Sequence, residues 1–135
     1  MEEKIECDRE RTRHNIMTHE EKKVGKIIEE LTMYFFSIGG TKIDTSIERS
    51  EAGEKITFRS NYDLEYDENI QYLETCLAKE KNEGMEDIYW ELAGSGDPGE
   101  SSQLMLIGMM IDSHEVHRYG NEVELILYKN KEYEW

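Results

Sequence analysis

A glycine-rich stretch, GSGDPGESS at 94–102, lies directly before the apolar run QLMLIGMMID. Glycines ahead of a helix can bind phosphate, because free backbone N–H groups and the helix dipole attract an anion. Phosphate loops normally add a lysine or arginine, whereas this stretch adds Asp97 and Glu100 and matches no P-loop pattern. The stretch therefore favours a flexible connector over a nucleotide loop, and Pro98–Gly99 suit the centre of a type II turn.

A second stretch, DSHEVH, collects four side chains that can bind metal, namely Asp112, His114, Glu115 and His117. Zinc takes histidine and carboxylate ligands. Alternation along a strand would place Glu115 and His117 on one face and His114 on the other, and no cysteine is spaced to complete a site. This pattern favours a solvated strand edge over a metal centre. We find no Ser–His–Asp or Cys–His order that would support nucleophilic catalysis.

The charge of the chain limits its partners. Asp and Glu total 31 against 16 Lys and Arg, which gives a net charge of −15. Such a surface repels nucleic acid and anionic membranes, so we expect neither and expect a protein partner with a basic surface. Cys7 and Cys76 are too few for a disulfide framework, no signal peptide is visible, and the longest apolar run, 104–111, is far short of a membrane span. We expect a cytoplasmic protein.

At 135 residues the length fits one domain. Residues 1–17 alternate in charge sign and contain few apolar side chains, so we expect a solvated arm or a partly formed helix there. The alternative is an arm that forms a dimer or binds a partner. A single domain is predicted over 18–135.

The first predicted helix covers 18–38. Thr18 and Glu21 form a capping box, and apolar residues recur at helical spacing from Val24 to Ile38. Gly39–Gly40 then allows a left-handed stop. The pattern predicts a helix with one buried face.

The period then changes from helical to alternating, which predicts a hairpin over 41–64 with a turn at Gly53 and one solvated face. Asp67 is predicted to cap a second helix that carries Cys76 on its apolar stripe and ends at Gly84. A short helix at 85–92 follows.

A third long helix, capped by Ser101 or Ser102, and two strands joined at 120–121 complete the order α-β-β-α-α-α-β-β. This order predicts an α+β fold with the helices layered on one face of an antiparallel or mixed sheet. Ile126 interrupts the polar face of the last strand, which predicts a strand covered on both sides. The predicted core contains Leu31, Phe35, Ile56, Phe58, Leu73, Ile107 and Leu125.

The first helix contains Glu29-Glu30-Leu31-Thr32-Met33, and the glycines of 94–99 follow the hairpin. With the order of elements, these residues resemble the ATP-binding domain of histidine kinases, in the small form found in anti-sigma-factor serine kinases. There a helix carrying Glu-x-Leu-Thr-Asn is followed by a hairpin and a glycine-rich lid. The resemblance covers about 18–130. It implies Mg-ATP as cofactor, Glu29 as catalytic base, and a nucleotide site at Thr32, Met33, Gly96 and Gly99.

The chain departs from that family at two places. Met33 stands where the family has a magnesium-binding asparagine, and a thioether is a poor ligand for a hard cation. Asp63 and Asp67 lack the glycine of the family's adenine-reading Asp-x-Gly motif. We therefore interpret the chain as a degenerate relative: a non-catalytic regulatory or protein-interaction domain without a cofactor. The alternative is a divergent ATP-binding serine kinase that uses Glu29 and Mg-ATP.

Several residues are candidates for protein contacts. We expect a homodimer that forms through either the 123–129 strand or the N-terminal arm. Met105 and Met109, four residues apart, suit either core filling or an adaptable partner-facing stripe. The aromatic tail suits either a docked edge strand or an interface anchor, and it contains Tyr128, Tyr133 and Trp135.

Overall fold

The computed structural model describes residues 19–78 and 101–130. Its helices and strands follow the predicted order, and the α+β class is confirmed. The predicted arm at 1–17, the short helix at 85–92 and the loop at 94–100 lie outside the described residues. In chain order the elements are α1 (His19–Ser37), β1 (Ile43–Ser50), β2 (Gly53–Asn61), a short 3-10 helix (Leu64–Tyr66), α2 (Asp67–Leu77), α3 (Ser101–Met110), β3 (Ser113–Tyr119) and β4 (Glu122–Asn130).

The four strands form one antiparallel sheet in the order β1-β2-β4-β3. The hairpin of β1 and β2 pairs continuously from Ile43 opposite Ser60 to Ser50 opposite Gly53. The strand predicted at 123–129 is β4, which lies between β2 and β3 and therefore has no open edge. A homodimer therefore cannot form by pairing of the edge of that strand with a second copy; the homodimer itself stays a prediction.

The core lies between the helices and one face of the sheet. Alternate residues of the two central strands point into it, including Phe58 of β2 and Leu125 of β4. Phe35 of α1 stacks against Phe58 with ring centroids 5.3 Å apart. The predicted core is confirmed, since each of its seven residues is 0% exposed: Leu31, Phe35, Ile56, Phe58, Leu73, Ile107 and Leu125.

The opposite face of the sheet carries mainly polar side chains. Ile126 of β4 points to this face and is only half-buried, whereas its neighbours Leu125 and Leu127 are fully buried on the helix side. The prediction that this strand is covered on both sides is therefore not met. One apolar residue on the polar face of an alternating strand does not require a second layer of packing on that face.

The end of α1 follows the predicted left-handed stop. Gly39 adopts a φ of +93°, and the N–H of Gly40 donates to the carbonyl of Phe35 at 2.7 Å. A Cβ atom on Gly40 would lie 2.7 Å from that same carbonyl oxygen. Both glycines are required for the chain to turn from the helix into β1.

The start and the end of α2 differ from the prediction. Asp67 is the first residue of the helix, and Tyr66 occupies the N-cap position. The carboxylate of Asp67 accepts a hydrogen bond from the hydroxyl of Tyr62. Asp63 instead caps the 3-10 helix by accepting from the N–H of Glu65 at 3.1 Å. The helix ends at Leu77, well before the predicted stop at Gly84.

Among the helices that the structure describes, none combines the length and the apolar character that crossing a bilayer requires.

Candidate functional site

The residues that the resemblance implicates on α1 lie together on its outward side. Glu29, Thr32 and Met33 fall within one turn, where Glu29 is exposed, Thr32 is half-buried and Met33 is 43% exposed. Lys26 lies 3.7 Å from Glu29 between Nζ and Oε2. The other implicated residues, Gly96 and Gly99, lie outside the described residues, so the structure brings together only the helical part of the predicted site.

No group of three or more histidine, cysteine, aspartate or glutamate residues could hold a metal ion within 19–78 and 101–130. Glu30, the acidic neighbour of Glu29, is buried and forms an ion pair with Lys26 at 2.9 Å. Glu30 therefore forms an ion pair within α1 itself.

The DSHEVH stretch forms β3 as the solvated strand edge predicted for it. Glu115 and His117 share the outer face, with 3.5 Å between Oε1 and Nε2, while His114 points to the other side. The hydroxyl of Tyr128 donates to Glu115 at 2.8 Å. This hydrogen bond, followed by His117, lowers the pKa of Glu115 and raises the pKa of the Tyr128 phenol.

A polar cluster of the buried Tyr62 and the partly exposed Asp67 and Arg118 joins three elements on the helix side of the sheet. The hydroxyl of Tyr62 donates to Asp67 at 2.6 Å, and Arg118 donates to the Tyr62 oxygen at 3.1 Å and also contacts Asp67. Burial raises the pKa of Tyr62, and the hydrogen bond to Asp67 raises it further, against the opposing effect of Arg118. The cluster ties the end of β2 to α2 and β3, so its role is structural.

The other predicted contact residues divide between core and surface. Cys76 is buried, as expected for core packing, while Met105 and Met109 are half-buried and partly face solvent. Tyr128 is half-buried on the outer face of β4, and Tyr133 and Trp135 lie outside the described residues. Of these residues, the four that the structure describes, Cys76, Met105, Met109 and Tyr128, are all buried or half-buried.

One large apolar side chain of α1 is exposed to solvent. Phe36 is 57% exposed, although it is an aromatic residue in a helix whose opposite face forms the core. Phe36 follows Gly25, Glu29 and Thr32 at spacings of four, three and four residues, so these positions share one stripe of the helix. Sequence reasoning missed this site. The available signal was the position of Phe36 outside the apolar stripe that runs from Val24 to Ile38.

A groove of about 260 Å³ between α1 and β1 adjoins this stripe at its Gly25 end. Val24 and Ile47 supply its apolar walls. Arg49 of β1 pairs with Glu21 of α1 at 3.2 Å, across one end of the groove, and with Glu54 of β2 at 3.5 Å. The described residues that line it are Glu21, Val24, Gly25, Ile47, Arg49 and Glu54.

The strand on the far side of the groove is itself uncovered. Seven of the eight residues of β1 are exposed, and it forms one edge of the described sheet. Ile47 lies opposite Ile56 and points to the helix side with it, yet Ile47 is 44% exposed while Ile56 is fully buried. We call the Gly25–Phe36 stripe, the groove and β1 together the α1–β1 surface.

No protein-family model matches the chain, and no curated protein or solved structure matches it either.

Proposed function

We propose that this protein is a non-catalytic protein-interaction domain that binds its partner through the α1–β1 surface. The single observation that carries the proposal is the 57% exposure of Phe36, on a helix whose first turns border the groove against the exposed edge strand β1. Aromatic side chains are enriched among the residues that dominate binding energy at protein interfaces. Burying Phe36 under a partner would remove its ring from water without rearranging the core.

The resemblance to anti-sigma-factor serine kinases supports a regulatory role. On this proposal the chain keeps the helix and hairpin of an ATPase-like ancestor and has replaced its chemistry with partner binding. The thioether of Met33 supports this view, because Mg²⁺ binds oxygen ligands and Met33 occupies the position of the family's asparagine.

Isothermal titration with Mg-ATP tests the loss of nucleotide chemistry. The wild type should give no binding heat, and Met33→Asn should recover little, because Asp63 and Asp67 lack the following glycine of the adenine-reading motif. A wild-type dissociation constant near 1 µM, about −8 kcal/mol, would instead favour the alternative, a serine kinase that uses Glu29.

Selection of ligands from a displayed peptide library tests the binding surface. Ligands selected on the wild type should lose affinity for Phe36→Glu. The matched control is Tyr119→Glu, because Tyr119 is 54% exposed and lies on β3, at the opposite edge of the sheet. Equal binding to both variants would contradict the proposed surface.

A further inference from the structure

β1 presents a regular, unpaired backbone edge within the described sheet. All eight of its residues pair with β2 in an uninterrupted register, so no bulge twists the edge away. The strand also lacks proline. In an antiparallel pair every second residue directs its N–H and C=O groups away from the partner strand. An incoming extended segment could therefore hydrogen-bond along β1 without any change in the sheet.

The two faces of β1 differ in chemistry. Ile43, Thr45 and Ile47 point to the helix side, where the groove lies, and Asp44 and Glu48 point to the outer side. A strand added beside β1 would continue this alternation. Its side chains on the helix side would contact Ile47 and the groove, and those on the outer side would lie next to the two carboxylates.

Both carboxylates are available to a partner. Within the part of the chain that the structure describes, Asp44 and Glu48 are exposed and form no ion pair within 4 Å, although the register places them opposite Arg59 and Lys55 of β2. The chain as a whole carries a net charge of −15. Lysine or arginine on the outer side of an added strand would lie beside Asp44 and Glu48, while Arg59 and Lys55 lie one strand further away.

We infer that β1 accepts an extended segment of a partner protein as a fifth strand, one in which apolar residues alternate with lysine or arginine. The inference rests on the proposed function and specifies the class of partner. Backbone hydrogen bonds to β1 would supply much of the affinity, and the alternation of side chains would supply the specificity.

A second copy of this chain fits the edge less well than a basic segment. Two copies of β1 would bring the exposed Asp44 and Glu48 of each copy close to those of the other, and both molecules carry a net charge of −15. Like charges in neighbouring strands destabilise their pairing.

The probe is a labelled nine-residue peptide in which lysine and valine alternate, measured by fluorescence anisotropy. Asp44→Lys/Glu48→Lys should weaken its binding by at least about tenfold. The matched control is Glu65→Lys/Glu68→Lys, which changes the net charge equally at two other exposed acids. Equal losses in the two double variants would mean that only the overall charge matters, which would overturn the inference.

Backbone methylation tests the strand pairing itself. In a strand, the N–H groups of the valines point to one edge and those of the lysines to the other. One peptide is methylated on the backbone nitrogens of its valines and a second peptide on those of its lysines. We expect one of these two peptides to lose binding and the other to keep it. If both methylated peptides bind as well as the parent, strand addition is wrong.

The two proposals fail in different ways. Library ligands that require Phe36 but tolerate methylation at either set would overturn strand addition and leave the proposed function standing. Micromolar Mg-ATP binding without any Phe36-dependent ligand would overturn the proposed function. A dimer that Ile47→Lys dissociates would show that β1 pairs with a second copy, which would overturn the basic-segment inference.

Discussion

At the scale of single residues, Tyr62 is a buried side chain whose hydroxyl makes two hydrogen bonds. Its hydroxyl donates to Asp67 and accepts from Arg118, and the residue is 2% exposed. Tyr62→Phe keeps the ring and removes both hydrogen bonds, so the free energy of unfolding should fall by about 1–1.5 kcal/mol. Urea denaturation measures this loss, and Tyr66→Phe, a change at an exposed tyrosine, is the control. Equal stability of the two variants would show that the cluster does not stabilise the fold.

The same variant should change the alkaline stability. The pKa of Tyr62 is raised in the folded protein, so its contribution is fully present below the ordinary tyrosine pKa of about 10. This contribution of Tyr62 to stability is lost as the pH rises through its raised pKa, because the Tyr62 phenol of the unfolded chain loses its proton at a lower pH than that of the folded chain. The free energy of unfolding should therefore fall less steeply above about pH 10 in Tyr62→Phe than in the wild type.

Glu115 gives a second test at this scale. The hydrogen bond from Tyr128 lowers the pKa of Glu115. The contribution of Glu115 to stability is therefore fully present above its pKa in the unfolded chain, and it is lost as the pH falls through its lowered pKa in the folded chain. Tyr128→Phe should move the pKa of Glu115 upward, as measured by NMR titration of its side-chain carboxyl. Tyr119→Phe is the control and should leave that pKa in place; a shift of the same size in both variants would argue against the hydrogen bond as the cause.

Some residue-level features could be read from the sequence and others could not. Strand alternation alone predicted that Glu115 and His117 lie on one face of β3 and His114 on the other. Asp67 was misassigned as a helix cap, because its partners, Tyr62 and Arg118, are 5 and 51 residues away. A short-range capping pattern carries no information about a contact that distant.

At the scale of elements, α1 contains an internal comparison. Phe35 is fully buried against Phe58, while its neighbour Phe36 is 57% exposed. Phe35→Ala should lower the free energy of unfolding by about 3–5 kcal/mol through lost burial and a residual cavity. Phe36→Ala, which removes the same group from the surface, should cost less than about 1 kcal/mol. Chemical denaturation compares the two, and similar costs would contradict the packing of α1 on the sheet.

The elements themselves were largely predictable, because α1 and the hairpin have strong periodicities bounded by glycines. The exposure of β1 was not. Alternation assigns Ile43 and Ile47 to one face of the strand, but it does not say whether a helix covers that face. The α1–β1 surface depends on how far the helices extend across the sheet, which is set by packing between distant segments. The end of α2 at Leu77 was missed because Gly84 was the only stop signal considered.

At the scale of the whole molecule, the strand order determines which surfaces can associate. β4 is central, so the arm at 1–17 is the remaining route to the homodimer predicted from the sequence. If the arm forms a dimer, light scattering at 1 M salt should show it, since charge repulsion is then screened to about 3 Å. Deletion of residues 1–17 should restore the monomer. A monomer at both low and high salt would contradict self-association.

Net charge should also govern the kinetics of partner binding. With −15 on the chain, the field of the molecule attracts a basic segment before any contact forms, and this attraction raises the association rate. Raising the salt from 0.1 M to 1 M shortens the screening length from about 10 Å to about 3 Å. The association rate of the lysine–valine peptide should then fall by about tenfold or more, whereas its dissociation rate should change little, because hydrogen bonds to β1 and contacts with Ile47 hold the bound strand.

Stopped-flow fluorescence separates the two rates. A peptide with glutamine in place of lysine supplies the control, since its association rate should not depend on salt. If salt acted mainly on dissociation, the charges of Asp44 and Glu48 would be holding the complex together, and the backbone pairing proposed for β1 would be the minor contribution.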